Sequence, residues 1–369
     1  MRTLVVSDLH LGAASGKDLA RRPELRAPLM AALRDADRLV VLGDGLELRE
    51  APHRDAAALA GPFFAEAGEA LGPGGELLVL AGNHDHGLVA GWIDARLQSE
   101  PSGFLGLSEP VEPAAAGPLA ERLAALAQPA RLTLAYPGAW LRDDVFALHG
   151  HYVDLHSTVP TFERLAAGAM ARWVVRLPEA HARTDDYEAA LAPLYAWLHQ
   201  LTQRSDHAAV SAGAGASARA WVAMAGRSRA RHPFRAAALG TAYVGAVAAI
   251  NRLGLGPVDR DLSPAALRRG GLRGIQEVLR RLEIGAPHVL FGHTHRSGPW
   301  PGDDASEWQA GPTRVWNTGS WVYQPHFLTD APGASPYWPG TAIVIEDTRP
   351  PQLIRLLGDR THAELRVPA

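Results

Sequence analysis

Apolar and polar positions along this chain fall into short blocks whose character changes in the middle. Residues 3–6 form an apolar run that leads into Ser7-Asp8-Leu9-His10-Leu11-Gly12. A run apolar on both faces predicts a central strand of a sheet covered by helices. Residues 17–37 carry a helical pattern whose first half is broken by Pro23 and Pro28. Residues 38–42 predict a second strand, ending in Gly43-Asp44-Gly45-Leu46-Glu47. A helix over 56–71, interrupted at Gly61-Pro62, is stopped by Gly72-Pro73-Gly74-Gly75. Residues 77–80 predict a third strand, ending in Gly82-Asn83-His84-Asp85. Strand and helix thus alternate three times, the layout of an α/β sheet with its site at the carboxyl ends of the strands. A helix over 118–128 follows, then strands over 131–136 and 145–148 with no long helix between them.

From 159 to 285 the strand signals vanish. Helices are predicted over 161–177, 184–204, 217–231, 234–253 and 264–283, with a Ser/Ala/Gly joint at 211–218. Ser263-Pro264 reads as an N-cap and first-turn pair, and Gly285 as a stop. Strands return at 288–291, 313–316, 341–345 and 352–357. The expected organisation is an α/β body over 1–158 and 286–369, split by an all-helical insertion over 159–285.

Composition narrows this picture in three ways. The chain has 369 residues, 47% hydrophobic and 20% charged, which is ordinary for a soluble globular protein. It has no cysteine, so disulfides and thiolate metal sites are excluded, and any metal ligands are imidazole, carboxylate or amide. Net charge is −3 but uneven: residues 155–285 hold 17 Arg and no Lys against 10 acidic residues, a balance of +7 that leaves −10 for the rest. An acidic body with a basic insertion points to an anionic partner, or to a merely arginine-rich solvated face. The first strand begins at Arg2, leaving no room for a signal peptide, and the weakly polar run over 236–250 is 15 residues, too short for a spanning helix. A cytoplasmic protein is expected.

The stretch that organises the chemistry is Leu290-Phe291-Gly292-His293-Thr294-His295, a short apolar run that stops at a glycine and presents two histidines at i, i+2. Alone, G-H-x-H is a weak signal. Four earlier runs also end in residues able to bind metal: Asp8 and His10; Asp44; Asn83 with His84 and Asp85; and His149 in His149-Gly150-His151. Two metal ions about 3.5–4 Å apart clamp both oxygens of an in-line phosphoryl displacement, and such a site needs a bridging carboxylate with N and O ligands arriving from several strand ends.

In this order of blocks (D-x-H, G-D, G-N-H-D, H-G-H, G-H-x-H) the chain resembles the calcineurin-like metallophosphoesterases, dinuclear phosphoester hydrolases with a four-layered αββα sandwich. Asn317-Thr318-Gly319-Ser320 also looks like the N-x-G-S turn that often follows G-H-x-H in that superfamily. The resemblance implies Asp8, His10 and His295 on one metal, Asn83, His149 and His293 on the other, and Asp44 bridging them. It implies a metal-bridging hydroxide that attacks phosphorus and two divalent ions, Mn first, with Fe, Zn, Ni or Co as alternatives. His84 would assist the phosphoryl or leaving group uncoordinated, with Asp85 orienting its imidazole. The roles of His86 and His151 stay open between substrate contact and pocket lining.

Ser7-Asp8-Leu9-His10-Leu11-Gly12, the Gly-Asp followed by Glu47, and His-Gly ahead of helices are similar to the UDP-2,3-diacylglucosamine pyrophosphatase branch. In that branch a helical insertion receives acyl chains. This chain departs from it with Gly82-Asn83-His84-Asp85 in place of Gly-Asn-Arg-Asp, and His149-Gly150-His151 in place of His-Gly-Asp. A phosphorylated small molecule or a lipid is the expected substrate, under an insertion acting as a lid. Trp173, Trp197 and Trp221 fit either an interfacial helix touching an anionic membrane or the insertion's own core. No nucleic-acid-binding module is recognisable, which weighs against a nuclease, and every ligand position is filled, which weighs against a non-catalytic scaffold.

Overall fold

Three five-residue runs, β1 (Arg2–Val6), β2 (Arg38–Leu42) and β3 (Glu76–Leu80), pair in parallel, and the first half of β5 (Arg131–Arg142) continues the set beside β3. The computed structural model describes residues 1–50, 53–99, 103–159, 161–204, 233–261 and 263–367. The helix expected over 217–231, the joint at 211–218 and Trp221 lie outside these residues. The protein is a mixed α/β structure with an 11-stranded sheet, ordered β11-β10-β1-β2-β3-β5-β6-β7-β9-β8, with β4 (Ser108–Val111) pairing β5 off this path. The remaining strands are β6 (Val145–Leu148), β7 (His288–Phe291), β8 (Gln309–Ala310), β9 (Thr313–Asn317), β10 (Thr341–Glu346) and β11 (Gln352–Arg355).

β5 changes partners along its length. Residues up to Pro137 face β3 and β4, and Gly138 onward pairs antiparallel with β6, which in turn lies parallel to β7. Gly138 sits where a Cβ would run into the ring of Phe146, so the bend needs a glycine there. The strand was expected to end at 136. It continues because the pairing changes face at Pro137 instead of stopping.

Side-chain alternation divides the core. Leu4, Val6, Leu39, Val41, Leu77 and Val79 point to one face, under α1 (Pro23–Leu33) and α2 (His53–Leu71). Val5, Val40, Leu42, Leu78 and Leu80 point to the other, where they pack with Val145, Ala147, Leu290 and Trp316 of β6, β7 and β9. The strands are therefore apolar on both faces because both faces are covered.

Two helices depart from expectation. α1 starts at Pro23, which occupies the first turn where no donor is needed, and continues past Pro28. α2 runs unbroken through Gly61-Pro62. Proline in a helix interior costs about 3 kcal/mol. Fully burying Phe63 and Phe64, each 1% exposed or less, returns about 1.5–3 kcal/mol apiece, enough to hold the helix together. The first unit also contains α3 (Ala90–Leu97), α4 (Pro113–Ala116) and α5 (Pro118–Leu126).

The chain separates into two compact units, Met1–His151 with Gly285–Ala369, and Tyr152–Ile284. The second contains helices and no strand among its described residues: α6 (Phe162–Trp173), α7 (Thr184–Arg204), α8 (Pro233–Arg252) and α9 (Pro264–Arg281). Ser263 caps α9, its Oγ accepting from the Ala266 amide at 3.2 Å ahead of Pro264 in the first turn. Inside this unit Tyr152 stacks on Tyr187, Tyr152 donates to Glu188, and the Tyr187 hydroxyl meets His156 Nε2 at 2.8 Å. A last short helix, α10 (His362–Leu365), belongs to the first unit. No described helix is long and apolar enough to cross a membrane.

Candidate metal centre

All five polar blocks follow the carboxyl ends of β1, β2, β3, β6 and β7, and those after β1, β2 and β7 leave their strands through left-handed backbone at non-glycine residues. Seven non-glycine residues among those described have positive φ, and five of them are Asp8, His10, Asp44, His293 and His295. Left-handed backbone costs a non-glycine residue about 1–3 kcal/mol, and Asp and His tolerate it better than most. Here it turns consecutive side chains back toward one centre. Three glycines make room for this convergence. A Cβ on Gly43 would overlap the His149 imidazole, one on Gly82 would overlap Asp44 and lie 2.6 Å from His149 Cδ2, and one on Gly292 would lie 2.6 Å from Asp8 Oδ2. Each of these three glycines is held to that size by a polar side chain of another block.

The side chains form linked groups whose donor atoms lie within 4.8 Å of one another: Asp8, His10 and His295; His10, Asp44 and His84; and Asp44, His149 and His293. His295 Nε2 stands 3.3 Å from Asp8 Oδ1 and 3.3 Å from His10 Nε2. Asp44 Oδ2 lies 3.3 Å from His149 Nε2 and 3.7 Å from His10 Nε2, so it belongs to both ends of the cluster. Asn83 Oδ1 is 3.3 Å from His149 Nε2. Asp8, Asp44, Asn83, His10 and His149 are buried, whereas the side chains of His84 and His295 are 23% and 20% exposed and mark the open side.

Outer partners fix the orientation of the rings. His149 Nδ1 donates to the Leu42 carbonyl at 2.9 Å and His10 Nδ1 to Glu47 Oε2 at 3.0 Å, which turns each Nε2 inward. Behind Asp8, Ser7 Oγ bonds the carboxylate and lies 2.5 Å from Thr318 Oγ1, while Ser320 Oγ donates to the Asp8 carbonyl at 3.3 Å. Asn317 Nδ2 donates at 2.9 Å to the Gly292 carbonyl and to Thr294 Oγ1. The Asn317-Thr318-Gly319-Ser320 turn thus braces the β1 and β7 loops from behind. Arg296, next to His295, is locked by Asp303 through contacts of 2.7 and 2.9 Å.

One expected role is corrected. Asp85 does not orient the His84 imidazole. Its Oδ1 accepts from the Gly82 and Asp44 amides at 2.6 and 3.2 Å, and its Oδ2 from the Gly45 and Leu46 amides at 2.7 and 3.1 Å. A short side chain at the head of a turn reaches amides more readily than the ring beside it. Asp85 therefore clasps the β2 and β3 loops together. The carboxylate on His84 is Glu47, whose Oε2 lies 2.7 Å from His84 Nδ1 while also accepting from His10, and whose Oε1 accepts from the Arg49 amide at 3.0 Å. Sequence reading noted Glu47 only as part of a motif and gave it no contact with either imidazole. Its signal was its place three residues after Asp44.

His86 and His151 are both buried against Tyr136. The His151 Nε2 to Tyr136 hydroxyl distance is 3.4 Å, and the His86 ring meets Tyr136 edge-on at 5.8 Å. The His151 ring lies 5.7 Å from that of His149.

Charge follows the geometry. Burial works to raise the Asp44 carboxyl, but the charges of His149 and His84 hold it well below the usual carboxylate range. Glu47 is held low against burial by His84 and His10. Burial opposes charging of the imidazoles, yet Glu47 and Asp44 push His10 up to about 9, and Asp44 pushes His149 up to about 10. Burial, with the Asp44 charge nearby, raises Asp85 to about 6 against four amide donors. The acidic groups thus favour cations at the centre, and protons fill that role on the free side chains.

The seven positions expected to bind metal and the two beside them, His84 and Asp85, all come together. No model of a known protein family matches the chain, and no curated protein matches it either.

Proposed function

We propose that the protein is a metal-dependent phosphoester hydrolase of the calcineurin-like type, its sheet folded as the two inner layers of a four-layered αββα sandwich. The observation that carries this reading is the position of Asp44, whose Oδ2 lies 3.7 Å from His10 Nε2 at one end of the cluster and 3.3 Å from His149 Nε2 at the other. The donor set fits two divalent ions. It is all nitrogen and oxygen, each resolved Nδ1 partner leaves an Nε2 facing inward, and buried Asp8 Oδ1 has no hydrogen bond although His295 Nε2 stands beside it. Asp8, His10 and His295 would hold one ion, Asn83, His149 and His293 the other, with Asp44 between; Mn fits, as do Fe, Zn, Ni and Co.

When bound, such ions polarise a phosphoryl oxygen and lower the pKa of water. The chain's own residues supply the rest. Glu47 holds the Nδ1 proton of His84, so His84 Nε2 is the atom that delivers a proton to a leaving oxygen. The His84 amide donates to Asp44 Oδ1 at 2.8 Å, which fixes the imidazole relative to the shared carboxylate. Asp85 acts on the loops and not on the proton.

The test is Mn²⁺-dependent hydrolysis of a chromogenic phosphodiester by wild type and Asp44→Asn, with bound metal measured by mass spectrometry. Metal-dependent turnover that the variant loses is the expected result. A wild type that binds no divalent ion overturns the reading and favours a scaffold. Parallel assays on single-stranded DNA and on a lipid-linked pyrophosphate separate nuclease from pyrophosphatase activity.

A further inference from the structure

Five of the eleven large hydrophobic side chains exposed among the described residues belong to the second unit: Trp173, Val174, Trp197, Val244 and Leu253. Three of them gather at one place. α8 ends at Arg252 and turns through Leu253 and Gly254, where Gly254 takes φ +76. A Cβ on Gly254 would lie 3.1 Å from Arg172 Nε, and one on Gly168 would lie 2.8 Å from the Leu255 carbonyl oxygen, so this turn runs along the C-terminal half of α6. The ends of α6 and α8 therefore meet, presenting Trp173, Val174 and Leu253 at 65%, 66% and 60% exposure. Arg172, Arg176 and Arg252 are exposed beside them. Residues 164–178 and 233–258 contain no aspartate or glutamate.

We propose that this tip docks the protein on an anionic phospholipid surface. An exposed indole with two aliphatic side chains inserts at the boundary between headgroups and acyl chains, and the arginines around it meet lipid phosphates. The chemistry selects this occupant over others. A second copy of the chain would set these arginines against their own counterparts across a two-fold axis. A nucleic acid would use the arginines and the indole but leave Val174 and Leu253 in water. The inference does not depend on the activity proposed above.

Flotation of the full-length protein with vesicles tests it, using phosphatidylcholine alone and phosphatidylcholine mixed with phosphatidylglycerol. Binding is expected only to the mixed vesicles, and to weaken as salt rises. An arginine near an anionic surface contributes about fivefold in partitioning, so Arg172→Gln/Arg176→Gln/Arg252→Gln should weaken binding about 100-fold. Trp173→Ser/Leu253→Ser should weaken it at least tenfold while leaving the melting temperature and circular dichroism of the protein unchanged. The proposal is overturned if mixed vesicles fail to float the wild type, or if neither variant reduces flotation. It is also overturned if the substitutions instead abolish a concentration-dependent dimer.

Discussion

Glu47→Gln separates the two carboxylates that compete for a role beside His84. The substitution keeps the shape of the side chain and removes its charge. In the wild type one oxygen accepts from two imidazoles, at 2.7 Å from His84 and 3.0 Å from His10. A hydrogen bond to a charged group contributes about 1.5–3 kcal/mol against about 1 kcal/mol for a neutral one, so the variant loses roughly 1–4 kcal/mol of ring fixation across the pair. On the His10 side, loss of an outer partner should weaken metal binding about 10–100-fold. On the His84 side, a proton donor with an unfixed tautomer should forfeit much of the 10²–10⁴-fold that a positioned acid supplies, seen in kcat at saturating Mn²⁺ with KM little changed. Asp85→Asn should lower the melting temperature by weakening the clasp on four amides, and reduce kcat less. In a His84→Gln background, Glu47→Gln should have almost no further effect on kcat, because the two act as one unit. If Glu47→Gln keeps kcat within about threefold at saturating metal while Asp85→Asn removes it, the assignment of Glu47 as the positioning residue is wrong.

Three further outcomes follow from the same geometry. Gly82→Ala drives a methyl group into Asp44 and His149, and should cost about 1–3 kcal/mol in a chemical melt together with metal affinity. His10 and His149, raised to about 9 and about 10, hold protons at neutral pH in the metal-free protein. Metal binding at pH 7 should therefore release about two protons, measured by calorimetry in buffers of different ionisation enthalpy, and zero release would refute it. Because these folded pKa values lie above the unfolded value, their contribution to metal-free stability is complete below about pH 6.5 and fades as pH rises through 9 to 10. His156 behaves oppositely: burial, with Arg281 nearby, lowers it to about 3. Above about pH 6.5 it is neutral folded or unfolded, but as pH falls toward 3 the unfolded chain takes the proton first, costing about 2 kcal/mol by pH 5. The stability difference between wild type and His156→Gln, taken from urea melts at pH 7 and pH 5, should change by about 2 kcal/mol in that direction, a comparison that cancels the other groups titrating over the interval.

The strand ends were legible because β1, β2, β3, β6 and β7 are short apolar runs that stop abruptly in polar residues, a pattern set by burial on both faces of the sheet. Local rules misjudged the places where tertiary packing decided. Gly61-Pro62 reads as a helix break until the burial of Phe63 and Phe64 is known. Pro137 reads as the end of β5, although the chain only changes partner there. β4 was invisible: Pro110 interrupts its pattern, which an off-path strand pairing only β5 tolerates. At the site, the identities of the converging residues were readable and their mutual contacts were not. Asp85 is adjacent to His84 in sequence, yet the loop conformation hands that imidazole to Glu47, 37 residues upstream. The left-handed backbone at Asp8, His10, Asp44, His293 and His295 likewise leaves no mark in composition.

The contact between the Asp8 carboxylate and the His293 amide spans 285 positions of chain. A ribosome adding about 5–20 residues per second needs roughly 15–60 s to cover that interval, and domains fold as they emerge. Over that interval Asp8, His10, Asp44, Asn83 and His149 are added one block after another, while His293 and His295 are still to come. A nascent chain of this protein therefore cannot assemble the group of Asp8, His10 and His295 until the loop after β7 has been synthesised. On the metal-dependent reading proposed above, cation capture would be a late checkpoint of biogenesis, and a product truncated before His293 would lack it.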